Sequence, residues 1–194
     1  MFVCKQEAPS QFQFSRYKLP QILPPTRLAQ PGRVLAYWMD AGWGGLIKED
    51  KGNHYFCGQL VDAMANMIAY DWIPWPLSTV VGWVTCVPST RHVSLVPDFA
   101  ARLAQRLRLP FRQAVIKVDD HVPQKSQKNN YHRCSNLDGT FEVKKELVYQ
   151  DSPVLLVDDV VRSTWTVTVI AALLQEAGSG SVFPCGLARI MSED

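Results

Sequence analysis

Residues 154–178 read VLLVDDVVRSTWTVTVIAALLQEAG, and this stretch constrains the fold more than any other part of the sequence. It opens with four apolar residues in a row, which is typical of a strand buried on both faces of a sheet. The acidic pair Asp158 and Asp159 follows, and a short polar loop then leads into an apolar helix. A buried strand that passes through a short loop into a helix is the building unit of a parallel α/β sheet.

Strand and helix patterns alternate along most of the remaining sequence. Apolar or β-branched runs predict strands at 78–88, 114–118, 139–143 and 181–190, and helical spacing of apolar residues predicts helices at 60–68, 95–107 and 164–177. A short helix is also expected over 34–39, ended by the glycines that follow it. We therefore predict an α/β fold, a mainly parallel sheet with helices on both faces.

Composition narrows the class of protein. The chain has 194 residues, 47% of them hydrophobic, which suffices for one domain with a substantial core. The formal net charge is only +2 and no long basic run occurs, so any nucleic-acid binding must come from a local patch. The first residues lack an apolar signal core, and no apolar run approaches the ~20 residues that span a bilayer. We therefore expect a soluble, cytoplasmic protein.

The spacing of cysteines and histidines gives no sign of a metal site. The five cysteines are odd in number and scattered, which predicts a reducing compartment and mostly inert thiols. The histidines are not grouped at ligand spacing, so no metal or general-base role is assigned to any of them; they are His54, His92, His121 and His132. No dedicated metal site is predicted.

Two segments lie outside the alternation of strands and helices. Residues 1–31 contain five prolines and little apolar periodicity, which predicts an extended segment or linker, docked through Phe12, Phe14 and Tyr17. Residues 119–138, DDHVPQKSQKNNYHRCSNLD, are polar and basic. Irregular stretches of that length inside a compact domain are usually functional lids or disordered.

The loop after the acidic pair has the composition of an anion site. In open parallel sheets, ligands bind outside the carboxyl ends of the strands, where Asp158 and Asp159 could accept hydrogen bonds from sugar hydroxyls. Polar residues follow at the start of the helix, where free N–H groups and the helix dipole favour an anion; they are Arg162, Ser163, Thr164 and Thr166. Together these features describe a ribose phosphate site. The alternative is that Ser163 or Thr164 only caps the helix, and the residues alone leave both open.

Residues 154–166 resemble the phosphoribosyl pyrophosphate (PRPP) motif of type I phosphoribosyltransferases. Five other segments resemble the ComF group of that family: VTCVPSTRH, VPDFAARLAQRLRLPF, KVDDHVPQKSQKNN, NLDGTFEV and AALLQEAGSGSVFPCGLA. The sequence looks closer still to the phosphoribosyltransferase-like C-terminal domain of some bacterial RecQ-type DNA helicases. The resemblance covers roughly residues 31–190. It implies the type I phosphoribosyltransferase fold over 32–194, with a hood from 32–78 and a core from 79–194.

The resemblance also implies roles for individual residues. Asp158 and Asp159 would contact the ribose hydroxyls, and Ser163, Thr164 and Thr166, with the backbone between them at Trp165, would hold the 5-phosphate. Arg162 departs from the motif, and it would add a charge to that phosphate if the loop closes with negative φ. The pyrophosphate loop would be Ser89, Thr90 and Arg91, and the basic segment would be a lid carrying Lys125, Lys128 and Arg133. Lys125 would act with the two aspartates in catalysis. Mg²⁺ would arrive bound to PRPP.

The implied function is binding of PRPP or another ribose 5-phosphate ligand in DNA metabolism, meaning repair, recombination or DNA uptake. If active, the chain would transfer ribose 5-phosphate to a nitrogen nucleophile. The alternative is a non-catalytic accessory domain of a RecQ-like DNA helicase, which binds single-stranded DNA or a protein partner. The sequence does not fix the oligomeric state, and a dimer is among the options.

Arg162 and Thr164 depart from the motif. Thr164 stands where such a loop usually has a glycine, and a threonine with positive φ would cost ~1–3 kcal/mol. The alternative is a loop that closes with negative φ, so that Thr164 adds a hydroxyl contact. For Trp165 we expect packing against the loop or a strand, with a stacking platform for a base as the alternative.

Overall fold

The structure is a computed structural model that describes residues 1–8, 12–73, 77, 80–89, 92–118 and 134–190. The strands are β1 (Arg33–Tyr37), β2 (Trp83–Cys86), β3 (Val115–Lys117), β4 (Phe141–Val143), β5 (Val154–Val161) and β6 (Val182–Arg189). The helices are α1 (Trp43–Gly52), α2 (Gly58–Asn66), α3 (Leu95–Leu107) and α4 (Thr164–Glu176). α2 continues into a π-helical stretch at Met67–Trp72, and short 3₁₀ turns lie at Pro25–Arg27 and Lys145–Leu147.

Four strands form a parallel sheet in the order β1-β6-β5-β2. This confirms the predicted α/β class and the mainly parallel sheet. The predicted strands at 114–118 and 139–143 also exist, as β3 and β4, but they pair antiparallel in a separate two-stranded sheet.

Helices cover both faces of the parallel sheet, as predicted. Side chains of β5 alternate between two clusters of buried residues. Val154 and Leu156 face α4 and the N-terminal segment, whereas Leu155 and Val157 face α2 and α3. Because the strand is buried on both sides, its apolar run is continuous rather than alternating.

The expectation of a helix over 34–39 is wrong, because these residues begin with strand β1. Val34 pairs with Gly186 and Ala36 with Ala188 on β6, so a long-range pairing decides the local conformation. The glycines expected to end that helix instead lie at the start of α1. Gly42 has a φ of 78°, and a Cβ on Gly44 would lie 2.3 Å from the carbonyl oxygen of Tyr37. The glycine at 44 therefore lets α1 lie close against the end of β1.

The N-terminal segment packs onto the domain. Phe12 and Phe14 are buried, as predicted, and the backbone N–H of Phe141 donates to the Tyr17 hydroxyl at 2.6 Å. Phe2 exchanges two backbone hydrogen bonds with Gly32, of 2.8 and 2.7 Å. A division of the chain at residue 31 stays a prediction.

The cysteines are free thiols, and four of the five are buried. Burial raises the pKa of Cys4 to about 11 and those of Cys86 and Cys134 to about 12, and it also raises the pKa of Cys185. Thiols held protonated in this way are poor nucleophiles, which agrees with the prediction of inert cysteines. Within the described ranges, every helix is too short or too polar to cross a membrane.

Candidate functional site

The candidate site lies where β2 ends and β5 continues. Cys86, the last residue of β2, pairs with Val157, and the next N–H, that of Val87, donates to the Val157 carbonyl at 2.8 Å. From Asp158 onward, β5 pairs with β6 alone. The sequence pattern had suggested that the aspartates follow β5, but they lie within it. They still lie beyond the end of the neighbouring strand β2. This is the edge at which parallel sheets bind ligands.

The two aspartates form a compact pair whose oxygens are held by the backbone. The N–H of Asp159 donates to Asp158 Oδ1 at 2.9 Å, and the N–H of Val160 donates to Asp159 Oδ1 at 2.6 Å. Burial, and then the charge of Asp159, raise the pKa of Asp158 to about 8, against the lowering effects of the Asp159 N–H and the Lys51 ammonium. With its pKa raised in this way, the Asp158 carboxyl is largely protonated at neutral pH.

Lys51, which the sequence analysis missed, provides the counter-charge. It lies at the end of α1, and its Nζ is 2.5 Å from Asp159 Oδ2, with side-chain exposures of 23% and 12% for the two residues. The ammonium also lies 6.0 Å from the centre of the Trp38 ring. Asp158, Asp159 and Lys51 thus form a nearly neutral, largely shielded triad. No local pattern could reveal this contact, because it joins residues 108 positions apart.

The loop from β5 to α4 closes in two residues. Ser163 is the N-cap of α4, and its Oγ accepts the N–H of Trp165 at 3.3 Å. Thr164 begins the helix and is not among the residues with positive φ, so the strain considered from the sequence does not arise. Arg162 is exposed and Thr166 is half-buried at this helix start. Ser163 therefore caps the helix, which was the alternative interpretation of this loop. The other N–H groups of the first turn have no acceptor within the helix.

Trp165 is part of the core. The side chain is 4% exposed and its ring centre lies 6.3 Å from that of Phe14 in the N-terminal segment. The packing expected for Trp165 is thus confirmed, and the idea of a stacking platform for a base is wrong because no face of the ring is open. Thr164 is also buried, and its carbonyl accepts a hydrogen bond from the Thr168 hydroxyl at 2.8 Å.

The loop after β2 reaches the same edge of the sheet and brings two histidines together. Ser89 Oγ accepts the N–H of His92 at 3.3 Å. His92 Nδ1 lies 3.0 Å from His54 Nδ1, across the loop between α1 and α2. The sequence spacing of the histidines gave no sign of this pair, because the fold joins positions far apart in sequence. Thr90 and Arg91, the other two predicted pyrophosphate contacts, lie outside the described residues.

The predicted lid cannot be placed. Lys125, Lys128 and Arg133 all lie outside the described residues, so their roles stay predictions. Among the residues that the structure describes, no cluster of three or more His, Cys, Asp or Glu side chains could hold a metal ion. With Asp159 paired to Lys51, Mg²⁺ in this site would be held mainly by the oxygens of a ligand such as PRPP.

No protein-family model matches the sequence, and no curated protein is significantly similar to it. Solved structures give weak similarities. An adenine phosphoribosyltransferase is 17% identical with a TM-score of 0.47, over 75% of this chain and 74% of that one. The allosteric regulatory enzyme of purine biosynthesis is 21% identical with a TM-score of 0.44, over 66% of this chain and 25% of that one. The glutamine PRPP amidotransferase of B. subtilis is 23% identical with a TM-score of 0.41, over 64% and 25%. The chain spans a quarter of the length of the last two proteins, and these TM-scores are too low to assign it to a family.

Proposed function

We propose that the chain binds the ribose 5-phosphate group of PRPP or of a related ligand at the carboxyl end of β5. The observation that carries this proposal is the shared position of Asp158, Asp159 and the start of α4. The pair of carboxyl groups and the first turn of a 13-residue helix are separated by four residues, 160–163, and lie beyond the end of β2. A sugar with adjacent hydroxyls and a phosphate matches these two groups.

The charges of the triad suit a phosphorylated sugar better than an unpaired acidic pair would. Because Lys51 neutralises Asp159 and Asp158 is largely protonated at pH 7, an incoming phosphate meets little repulsion. The protonated Asp158 can donate a hydrogen bond as well as accept one, so it can pair with either the oxygen or the hydrogen of a sugar hydroxyl. Arg162, which is exposed in the two-residue loop, adds a positive charge at the phosphate end.

Calorimetric titration of ribose 5-phosphate and of PRPP with Mg²⁺ tests the proposal. We expect saturable one-to-one binding, with free ribose and inorganic phosphate each binding more weakly because each engages only half of the site. Asp159→Asn should weaken binding about tenfold or more, since a hydrogen bond to a charged group contributes about 1.5–3 kcal/mol. Asp151→Asn is the matched control, because Asp151 is exposed and precedes the same strand at its other end. Absence of heat with all four ligands would contradict the proposal.

Catalysis is a further step of this proposal. A transferase would displace pyrophosphate from the anomeric carbon by a nitrogen nucleophile, and the protein would position the groups and exclude water. Mg²⁺ bound to PRPP would neutralise the leaving group. The experiment is release of pyrophosphate from PRPP in the presence of purine and pyrimidine bases. Binding of PRPP without release would favour a non-catalytic ligand-binding role.

A second candidate function, the accessory role in DNA transactions, has one observation in its favour. A cavity of about 460 Å³ between α2 and α3 is lined by three arginines and an exposed tyrosine, namely Arg102, Arg106, Arg108 and Tyr55. Arg102 and Arg106 are partly neutralised by Asp98 and Asp62, at 2.6 and 2.8 Å. Aromatic and arginine side chains together are typical of surfaces that bind single-stranded nucleic acid.

Fluorescence anisotropy with labelled single-stranded DNA tests this second candidate. Arg108→Ala should weaken DNA binding if the cavity is used, and Lys125→Ala with Lys128→Ala should weaken it if the basic segment is used. Binding unchanged by all three substitutions, or absent in the wild type, would contradict the candidate. The association with a RecQ-type helicase stays a prediction from the sequence resemblance.

A further inference from the structure

We propose that His54 and His92 form a two-histidine binding site for a late first-row divalent cation of the Zn²⁺ class. Their Nδ1 atoms face each other at 3.0 Å, and their ring centres are 4.8 Å apart. Zn–N bonds of about 2.0–2.1 Å with an N–Zn–N angle between 90° and 110° place two ligand nitrogens roughly 2.9–3.4 Å apart. The separation of the two Nδ1 atoms lies within that range, so one ion could bind both without a change of the backbone.

Hydrogen bonds hold the backbone at both histidines. The loop that carries His54 is fixed by Asp50, whose carbonyl accepts the Tyr55 N–H at 3.1 Å and whose Oδ2 accepts the Cys57 N–H at 2.7 Å. His54 itself has a φ of 57°, a left-handed conformation that the surrounding hydrogen bonds maintain. A site built from positioned ligands binds more tightly than one that must first be ordered.

His92 is fixed from the other side of the contact. Its N–H donates to Ser89 Oγ, and its carbonyl accepts the N–H of Leu95, the first residue of α3, at 3.2 Å. The two histidines therefore join the loop between α1 and α2 to the loop between β2 and α3. His54 is exposed and His92 is partly exposed, so an ion has access from solvent.

The donor set selects the metal class. Neutral imidazole is a preferred ligand of Zn²⁺, Ni²⁺ and Cu²⁺, whereas Mg²⁺ and Ca²⁺ prefer oxygen. In the metal-free pair one ring donates its Nδ1 proton to the other; on binding, that ring carries its proton at Nε2 and both Nδ1 lone pairs reach the ion. In the part of the chain that the structure describes, no third His, Cys, Asp or Glu joins the pair, so water would complete the coordination.

Calorimetric titration of the untagged full chain with Zn²⁺, in the absence of phosphate ligands, tests the proposal. We expect one ion per chain, and His54→Gln or His92→Gln should weaken binding at least about tenfold, the double variant to background. His121→Gln and His132→Gln are the matched controls and should leave this binding unchanged. Mg²⁺ should not compete. Zn²⁺ binding that survives in the double variant, or is lost in either control, would overturn the proposal.

A second measurement needs no substitution at all. Addition of Ni²⁺ to the wild type should broaden the imidazole NMR signals of His54 and His92 before those of the other two histidines. Broadening that starts at His121 or His132, or none at all, would overturn the proposal. The outcome is independent of the ribose phosphate site, because neither experiment contains a phosphate ligand.

Discussion

The two sides of the candidate site are built in different ways. The strand side, residues 158–166, is contiguous in sequence and consists of the end of β5 and the start of α4. The α1 side consists of Lys51 and His54. Lys51 contacts Asp159 of the strand side, and His54 contacts His92 in the loop after β2, both over long sequence distances. The local sequence pattern of a contiguous segment predicts its geometry. The α1 side, in contrast, is brought to the site only when the chain folds. The two sides should therefore respond differently to substitution.

The largest effect is expected where α1 meets the sheet. Gly44→Ala would place a Cβ 2.3 Å from the Tyr37 carbonyl oxygen, so α1 must move or the strand must bend. We expect a loss of about 3 kcal/mol in the free energy of unfolding, measured by urea denaturation, together with weaker binding of ribose 5-phosphate because α1 carries Lys51.

Gly45→Ala is the control for this prediction, since its Cβ would lie at an ordinary 3.7 Å from the Asp40 carbonyl oxygen. Replacing a helical glycine by alanine without a clash should be neutral or stabilise by up to about 1 kcal/mol. Equal effects of the two substitutions would contradict a close contact between α1 and β1.

The strand side should make stability depend on pH through Asp158. Because its pKa is raised from 3.8 to about 8, the folded state keeps a proton that the unfolded chain releases above pH ~4. The free energy of unfolding therefore falls as pH rises between the unfolded-state pKa of 3.8 and the folded-state pKa of about 8, by up to about 1.4 kcal/mol per pH unit. It levels off above pH ~8. From about pH 5.5 to about pH 7.5, urea denaturation should show a loss of about 2 kcal/mol that Asp158→Asn lacks. Asp151→Asn should retain the wild-type slope, and equal slopes in the wild type and Asp158→Asn would contradict this reading of the acidic pair.

Lys51 connects the two sides, and its removal should act on binding more than on folding. Lys51→Met leaves the Asp159 charge without its cation, so a phosphate ligand meets net repulsion. We expect the affinity for ribose 5-phosphate to fall about tenfold, or about 1.4 kcal/mol, in a calorimetric titration. Lys48→Met, an exposed position on the same helix, should leave the affinity unchanged. A rise in affinity would show instead that Lys51 competes with the ligand for Asp159.

The smallest effect is expected at Thr164. Because Thr164 is helical without positive φ, a glycine there relieves no strain and adds flexibility to the start of α4. Thr164→Gly should therefore lower the free energy of unfolding by about 0.5 kcal/mol, seen as a small fall in Tm, and leave ribose 5-phosphate binding level or weaker. Tighter binding would show that the loop functions better with the glycine of the phosphoribosyltransferase motif.

The sequence predicted the features that depend on local pattern. The continuous apolar runs predicted β2, β5 and β6, and the spacing of apolar residues predicted α2, α3 and α4. The helix expected over 34–39 failed because pairing with β6 outweighs the local preference of those residues. The conformation of Thr164 could not be decided either, since the same residues allow a loop with positive or negative φ.

On the site, the acidic pair and the capped helix start were visible in sequence, but the partners of the acidic pair were not. Lys51 is one of two lysines in a polar helix, and no spacing distinguishes it from Lys48. His54 and His92 are 38 residues apart, so only the fold brings them together. Contacts of this kind depend on how helices dock against the sheet, and a single sequence does not encode that docking in a readable pattern.

A crystal structure with PRPP and Mg²⁺ would show whether residues 158–166 hold a ribose 5-phosphate group. We expect the ribose hydroxyls within hydrogen-bond distance of the Asp158 and Asp159 carboxyl groups, and the 5-phosphate at the backbone N–H groups of the first turn of α4. A ligand bound elsewhere, for example in the arginine-lined cavity between α2 and α3, or a site that stays empty at saturating PRPP, would contradict it.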